Sequence, residues 1–262
     1  KAGVFADAAI ARAKKQIKSQ QLDDFTETSI EILGGVPEDF LGSHVGDYQE
    51  VALKIAARHR SAAGIGVFLK EITGLGLATP PGLCVFAGGR PKPSPVIRLF
   101  SFLLSKEEVS VRIHRGGETI DHTVAPVLTS EPAVPVPHTL PPSPKAQIAL
   151  TPVPLIQLAY GRSGDKGDKA NIGIIARQSE YLPYIWAALT PEVVASCFSR
   201  FLDGRVERFL LPGIHAINFV LHDVLGGGGI ASLRNDAQGK GYAQILLAQP
   251  IDLPAPLAER IS

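Results

Sequence analysis

The residues of this chain that could do chemistry are concentrated in one charged segment, residues 160–171. Its glycines recur at every third position, at Gly161, Gly164 and Gly167. Glycine tolerates positive φ, so that backbone N–H groups can converge on one concave spot where an anion binds. The segment therefore predicts a long loop that holds a carboxylate, a phosphate or the phosphates of coenzyme A.

The side chains of this segment supply the charges that such a site needs. The residues that we assign to substrate binding here are Arg162, Ser163, Gly164, Lys166, Gly167 and Asn171. Asp165 and Asp168 are the acid–base candidates for catalysis, and they could instead coordinate a divalent cation. The alternative interpretation is a solvated glycine-rich loop whose charges pair with one another.

A second glycine cluster, residues 226–229, follows an apolar stretch at 214–225 that has helical spacing. A helix end usually needs one glycine, and four are more than a cap requires. Gly227 and Gly228 are therefore candidates for a close backbone approach to a ligand or a neighbouring segment. A cap followed by a flexible turn explains the cluster equally well.

Three polar residues, His215, Asn218 and His222, fall on one stripe of the helix predicted over 214–225. His222 is the alternative catalytic base to the two aspartates. Adjacent residues on a helix do not face each other, so a direct pair with Asp223 is not expected. A supporting structural role for these residues is the alternative, and no Cys or Glu-x-x-His pattern supplies a metal site.

A glycine- and proline-rich segment at 88–94 carries two further cations, Arg90 and Lys92. Proline fixes the backbone, so these side chains approach from defined directions and suit an anion clamp or an interface. The alternative is a surface turn with two solvated cations.

The elements that must position these residues follow from hydrophobic periodicity. In the first part we predict a helix over 1–20, a strand over 26–33, a helix over 49–70, a strand over 96–104 and strands over 109–114 and 119–124. In the second part we predict strands over 155–159 and 172–176, a helix over 189–202 capped by Thr190, a strand over 206–211, a helix over 214–225 and a terminal hairpin of 231–234 with 242–248.

Nine of the chain's 21 prolines lie between Pro126 and Pro154. Such a stretch suits a semi-rigid linker rather than a packed core. The predicted organisation is a domain over 1–125, a linker over 126–152 and an α+β sandwich over 153–262, with helices on one face of a largely antiparallel sheet.

Composition narrows the function further. The chain has 262 residues, 45% of them hydrophobic and 19% charged, which is typical of a globular protein with a sizeable core. A net charge of +1 argues against a nucleic-acid or acidic-membrane partner, and no apolar run is long enough for a membrane helix. Cys84 and Cys197 show no metal or redox spacing, so we expect a reducing compartment, the cytoplasm. A chain without methionine that opens inside a helical pattern suggests a piece of a longer protein.

Several of these motifs resemble the AtuA family of acyclic terpene utilisation proteins. Residues 158–173, 211–219 and 221–234 resemble the family's C-terminal ferredoxin-like domain, and residues 86–102 resemble the end of its larger, Rossmann-like α/β domain. The resemblance implies a part of that α/β domain followed by a ferredoxin-like α+β sandwich. It also implies a pathway that degrades acyclic terpenoids such as citronellol and geraniol through acyl-CoA intermediates, and it carries over no catalytic residues.

Residues and resemblance together predict a catabolic enzyme with lyase or hydratase chemistry on a small anionic substrate, a carboxylate or a coenzyme A thioester. Arg162 and Lys166 would bind the anion, and a divalent cation is a second candidate ligand. We expect a homo-oligomer. The alternative is a non-catalytic binding or assembly subunit of such a pathway.

Overall fold

The computed structural model describes residues 1–34, 50–79, 82–84, 89, 91–123, 139–144 and 149–261. The chain divides into two compact units, one of Lys1–Arg98 with Pro141–Ser262 and one of Leu99–Leu140. Within the described ranges, no helix combines the length and the apolar character that crossing a membrane requires.

The first unit opens with two helices and a hairpin: α1 (Ala2–Ser19), β1 (Glu27–Leu33), β2 (Ala52–Arg58) and α2 (Ala62–Gly76). β1 and β2 are antiparallel, with Glu27 opposite Arg58 and Leu33 opposite Ala52. α1 buries small and aliphatic residues at helical spacing, Ala6, Ala9, Ala13 and Ile17.

Two of the expectations for this region are confirmed, the helix over 1–20 and the strand over 26–33. The helix predicted over 49–70 is wrong in its first half, because residues Ala52–Arg58 form a strand that pairs along its whole length with β1. The helix begins only after Ser61, whose Oγ accepts a hydrogen bond from the Gly64 amide at 3.4 Å.

The second unit contains a short 3-10 turn and the hairpin β3 (Val111–Arg115) and β4 (Glu118–His122). Its two-residue connection has positive φ at both Gly116 and Gly117, as a type I′ turn requires. The two strands predicted over 109–114 and 119–124 are confirmed, and they pair as this hairpin.

The strand predicted over 96–104 is wrong. These residues have no regular structure, and no strand pairs with them in the described part of the chain. All seven of their large apolar side chains are exposed, with Phe100 at 84% and Leu103 at 102%. Apolar periodicity alone cannot form a strand without a partner that satisfies the backbone hydrogen bonds.

The C-terminal part of the first unit holds most of the core. Its elements are β5 (Leu150–Pro154), α3 (Leu155–Leu158), β6 (Ala159–Lys166), β7 (Lys169–Ala176), α4 (Leu182–Ala188), α5 (Pro191–Cys197), β8 (Val206–Leu211), β9 (Ala216–Leu221), α6 (Tyr242–Leu247), β10 (Pro250–Pro254) and α7 (Ala255–Ala258). Four strands form an antiparallel sheet in the order β6-β7-β9-β8, and β5 pairs antiparallel with β10.

Helices pack on one face of this sheet, so the expected α+β arrangement is present. On that face a Cβ at Gly161 would come within 2.9 Å of Leu247 in α6. Arg208 of β8 donates on the same face to the carbonyl oxygens of Trp186 and Leu189, at 2.6 and 2.9 Å, at the end of α4. These contacts define a helix-covered face and, opposite it, an open face.

In this part, three predictions of secondary-structure type, helix or strand, are wrong. The stretch predicted as a helix over 214–225 contains β9, whose alternate residues Ile217, Phe219 and Leu221 are all buried. Of the predicted terminal hairpin, 242–247 is helical and 231–234 forms turns. The predicted strand over 155–159 is mainly the short helix α3.

Two predictions in the same part are confirmed. β8 occupies residues 206–211 as expected, and Thr190 caps α5 by accepting a hydrogen bond from the Val193 amide at 3.3 Å.

Candidate functional site

The charged segment is a tight hairpin rather than the long loop that we predicted. Its charges lie along β6 and β7, and only Gly167 and Asp168 form the turn, with Lys166 opposite Lys169. Gly167 has φ +70°, the position where a type II′ turn requires glycine. Because side chains alternate along a strand, the residues predicted as one site are divided between two faces.

Ser163 and Asp165 lie on the helix-covered face. The Ser163 hydroxyl, in a residue only 6% exposed, donates to the Lys240 carbonyl oxygen at 3.1 Å and accepts from the Ala243 amide at 2.9 Å. This strand serine therefore caps α6. An oxygen of Asp165 lies 3.7 Å from where a Cβ of Gly229 would be.

The turn residue Asp168 contacts the second glycine cluster. Its Oδ1 accepts from the Gly227 amide at 2.9 Å, and its carbonyl oxygen accepts from the Val224 amide at 3.1 Å. Gly228, at φ +95°, comes so close that a Cβ there would lie 3.3 Å from the Gly167 carbonyl oxygen. The close approach considered for these glycines is thus made to the turn of the β6–β7 hairpin.

On the open face, two polar side chains lie on either side of a glycine, which has no side chain to fill the space between them. Arg162 lies opposite Gly173, which lies opposite Asn218. The atom nearest to where a Cβ of Gly173 would be is the Arg162 carbonyl oxygen, at 3.9 Å. Neighbouring strands are about 4.8 Å apart, so Arg162 and Asn218 flank a gap of roughly 10 Å.

A pair of amides lines the same gap. Asn171 Nδ2 donates to Asn218 Oδ1 at 3.3 Å. Within the described ranges, neither side chain makes another hydrogen bond, so one carbonyl oxygen and the remaining N–H groups are available to a ligand.

His222 and Glu207 form the titratable pair of the open face. His222 follows β9, and its Nε2 lies 2.5 Å from Glu207 Oε2 in β8. The His222 side chain is only 15% exposed. This hydrogen bond is the main reason why the pKa of Glu207 lies below its usual range, and Arg205 at 3.3 Å contributes further.

The predicted stripe of His215, Asn218 and His222 is wrong, since these residues lie on and beside a strand. His215, at φ +52°, belongs to the turn before β9 and is exposed. Asn218 and His222 do reach the open face. The partner of His222, Glu207, was not found from the sequence because the two residues meet only through the register of β8 and β9.

Lys240 is a second residue that sequence reasoning missed. A Cβ on Gly164 would lie 3.0 Å from Lys240 Nζ, so the ammonium group covers that glycine. Gly164 lies opposite Asn171 in the sheet, and Lys240 therefore adds a positive charge to the polar gap. The only hint in the sequence is that Gly164 leaves room there.

Beside the polar gap the open face is apolar. A row across the sheet runs from Tyr160 through Ile175 and Ala216 to Leu211. Tyr160 is 59% exposed, and the flanking Phe209 is 48% exposed. Polar and apolar halves thus adjoin on one surface.

The other predicted binding residues lie elsewhere. Lys166 is at the hairpin end, where its Nζ donates to the Asp165 carbonyl oxygen at 3.2 Å. Lys92 is exposed in a segment without regular structure, and Arg90 lies outside the described residues. In the ranges that the structure describes, no three His, Cys, Asp or Glu residues cluster as metal ligands would.

Comparison with protein families finds a match for each of two long stretches of the chain. Residues 2–115 match the acyclic terpene utilisation family protein AtuA, and residues 153–252 match the AtuA ferredoxin-like domain. The chain belongs to the AtuA family. The family resemblance read from the sequence is confirmed, and all residues of the open face lie within the AtuA ferredoxin-like domain. No curated protein and no solved structure matches the chain.

Proposed function

We propose that this AtuA-family chain acts in the breakdown of acyclic terpenoids or related acyl compounds and binds an anionic substrate on the open face of its four-stranded sheet. The proposal rests on the polar gap between Arg162 and Asn218, whose base is Gly173. Arg162 and Lys240 bring two positive charges to it, and a carboxylate or thioester oxygen fits between them and the amides of Asn171 and Asn218.

The apolar half of the same face supports a branched hydrocarbon as the rest of the substrate. Tyr160, Ile175 and Phe209 offer exposed apolar surface next to the polar gap. An anionic head bound at Arg162 would leave an acyclic tail lying along these side chains, where burial of apolar surface adds affinity.

His222 is the residue that we propose for proton transfer. Its Nε2 is held by Glu207, which orients the ring. A base here could take a proton from water or from the carbon next to a carboxylate or thioester. Arg162 would then stabilise the enolate charge that develops, which is what lyase or hydratase chemistry requires.

Asp165 and Asp168 are weaker candidates for this proton transfer. Asp165 lies on the helix-covered face, and the carboxylate of Asp168 accepts a hydrogen bond from Gly227. For this reason we assign acid–base work to the open face instead.

A calorimetric titration tests binding. Coenzyme A, 3-methylbut-2-enoate and Mg²⁺ are titrated separately into the chain and into Arg162→Ala. We expect an anionic probe to bind and Arg162→Ala to weaken it about tenfold or more. The matched control is Arg200→Ala, an exposed arginine of the same domain. Equal binding by all three proteins would overturn the site.

An activity assay tests the chemistry separately. Hydration of 3-methylbut-2-enoyl-CoA is followed by the loss of absorbance of its conjugated thioester. Turnover that disappears in His222→Gln while binding persists would support proton transfer by His222. Binding without turnover would leave the non-catalytic subunit as the function.

A separate observation supports a non-catalytic subunit as the second candidate function. Residues 99–104 of the second unit expose all five of their large apolar side chains, and isolated globular proteins rarely expose so many close together in sequence. We propose that this exposed stretch supports self-association, as a homo-oligomeric or assembly subunit would require. Analytical ultracentrifugation of Phe100→Ser against the unchanged chain tests this, and identical molecular masses at all concentrations would contradict it.

We make three further proposals, two on the domain organisation of the chain and one on its cellular location. We infer that residues 1–125 are the C-terminal part of a Rossmann-like domain, which the AtuA match over 2–115 and the mixed helices and strands support. We infer that 126–152 is a linker to the domain at 153–262. Residues 126–138 and 145–148 of it lie outside the described residues, and its last three residues begin β5. We also infer a cytoplasmic location from the absence of cysteine pairs. A structure of a longer AtuA chain would test the first two, and cell fractionation would test the third.

A further inference from the structure

Arg58, the last residue of β2, has a buried guanidinium group of which only part is used. The side chain is 11% exposed, and its Nη1 donates to the carboxylate of Glu27 on the paired strand. Its Nε and Nη2 atoms are buried, and within the described ranges neither has a hydrogen-bond partner. Buried donors left without a partner are rare in folded proteins because each loses its hydration without compensation.

The two unpaired atoms lie on the same edge of the guanidinium group. In the planar guanidinium, Nη2 lies on the same side as the Nε–H bond, so the two N–H groups point in parallel. This edge of arginine binds two oxygens of one carboxylate or one phosphate at once. Glu27 meets the other nitrogen, Nη1, so within the described ranges the bidentate edge has no hydrogen-bond partner.

The Glu27 contact holds the guanidinium at Nη1, and the backbone on both sides of Arg58 is held as well. The Arg58 carbonyl oxygen accepts from the Thr26 amide at 2.9 Å, and the strand pairs with β1 up to Glu27. The next residue, His59, is anchored through both ring nitrogens, which lie 2.9 Å from the Ser61 amide and 2.7 Å from the Asp23 carbonyl oxygen. A donor pair held this way loses little freedom on binding.

We propose that the Nε–Nη2 edge of Arg58 is an oxyanion-binding site that takes the carboxylate or phosphate group of a small molecule. It shares no residue with the open face of the four-stranded sheet, so the two sites stand or fall separately.

Nitrogen-15 NMR of arginine side chains in the full chain tests this site. Inorganic phosphate and acetate are titrated separately while the Nε–H signal of Arg58 is followed. We expect one probe to shift this signal saturably, and the tighter-binding probe identifies phosphate or carboxylate as the preferred group. A signal that moves with neither probe would overturn the site.

One pair of variants separates bidentate binding from simple charge attraction. Arg58→Lys keeps the positive charge but loses the parallel donors, and we expect the dissociation constant for the probe to rise about tenfold or more. Arg98→Lys, at an exposed position, is the control that should leave it unchanged. Equal affinities in the two variants would overturn the proposal.

Glu27→Gln decides the question if Arg58→Lys fails to fold. This change removes the negative charge beside the site and keeps an oxygen for Nη1. We therefore expect tighter binding of the same probe, most clearly at low salt. Unchanged or weaker binding in a folded Glu27→Gln variant would contradict an oxyanion at Arg58.

Discussion

The pKa of Glu207 shows whether the hydrogen bond between His222 and Glu207 forms on the open face. This hydrogen bond is the main cause that lowers the pKa. In His222→Ala we expect the pKa of Glu207 to rise toward its ordinary value of 4.5. Carbon-13 chemical shifts of the carboxyl group, measured against pH, give the value directly.

The sign of the stability effect follows from the direction of this shift. The folded pKa lies below the unfolded one, so the ionised carboxylate stabilises the fold above about pH 4.5, and this contribution is lost as pH falls through the folded pKa. Arg205→Ala is the control, and it should raise the pKa of Glu207 less than His222→Ala does. A pKa that stays in place in His222→Ala would show that the pair does not form.

Gly173 offers a second residue-scale prediction. Since the nearest atom to a Cβ there would be the Arg162 carbonyl oxygen at 3.9 Å, Gly173→Ala should leave the free energy of unfolding within about 1 kcal/mol. The added methyl group occupies the floor of the polar gap. We expect it to weaken binding of the probe identified by calorimetry about tenfold.

The control for this variant is Gly74→Ala in α2, where nothing lies within 4 Å of the added Cβ. It should change neither folding nor binding. Unimpaired binding by Gly173→Ala would place the ligand away from the open face.

At the scale of elements, the packing of α2 depends on one glycine. A Cβ at Gly64 would lie 2.4 Å from the ring of His59, whereas nothing lies within 4 Å of a Cβ at Gly66. We expect Gly64→Ala to destabilise the fold by about 1–3 kcal/mol through overpacking. Gly66→Ala should stabilise it by about 0.5–1 kcal/mol because alanine favours a helix.

Urea unfolding of the two variants measures both effects. The comparison controls for composition and helix propensity, since the same substitution is made twice in one helix. Similar free energies of unfolding in both variants would mean that His59 does not pack on Gly64.

The elements also show what the sequence could and could not predict. α1, β1, β8 and the β3–β4 hairpin were predictable because each has one clear period and a distinct start or end. β9 was not, because its apolar residues fit two periods. Ile214, Ile217 and Leu221 suggest a helix, while Ile217, Phe219 and Leu221 suggest a strand. Pairing with both β7 and β8 decides for the strand.

The candidate site was predictable only in part for a related reason. Arg162, Asn171 and His222 were found from residue type and from the glycines around them. Glu207 and Lys240 come from distant parts of the chain, and only tertiary packing brings them to the same face. Likewise the face on which Asp165 lies follows from where the hairpin turns, which the glycine spacing did not reveal.

At the scale of the whole molecule, Tyr242 links the stability of the first unit to alkaline pH. It is 2% exposed, and its hydroxyl donates to the Val224 carbonyl oxygen at 3.1 Å, where Arg234 also donates at 2.6 Å. Burial raises the pKa of Tyr242 to about 12. We expect stability to fall by about 2 kcal/mol between pH 10 and 12 from this group alone.

The direction follows from proton binding. Between these pH values the unfolded chain loses a proton that the native chain keeps, so rising pH favours unfolding. Tyr242→Phe should cost about 1 kcal/mol at neutral pH and remove this part of the alkaline loss. Tyr160→Phe, at an exposed position, is the control. Identical pH profiles for the unchanged chain and Tyr242→Phe would contradict the prediction.

The strand order of the main sheet has a kinetic consequence. β6 and β7 are joined by two residues and β8 and β9 by four, so each hairpin can close quickly by itself. Their junction, β7 against β9, joins residues more than forty positions apart, including the pairs Ile172 with Phe219 and Ile174 with Ile217. Closing that distance costs more chain entropy than either turn. We therefore expect the rate of folding to be set at the centre of the sheet, where the two hairpins meet.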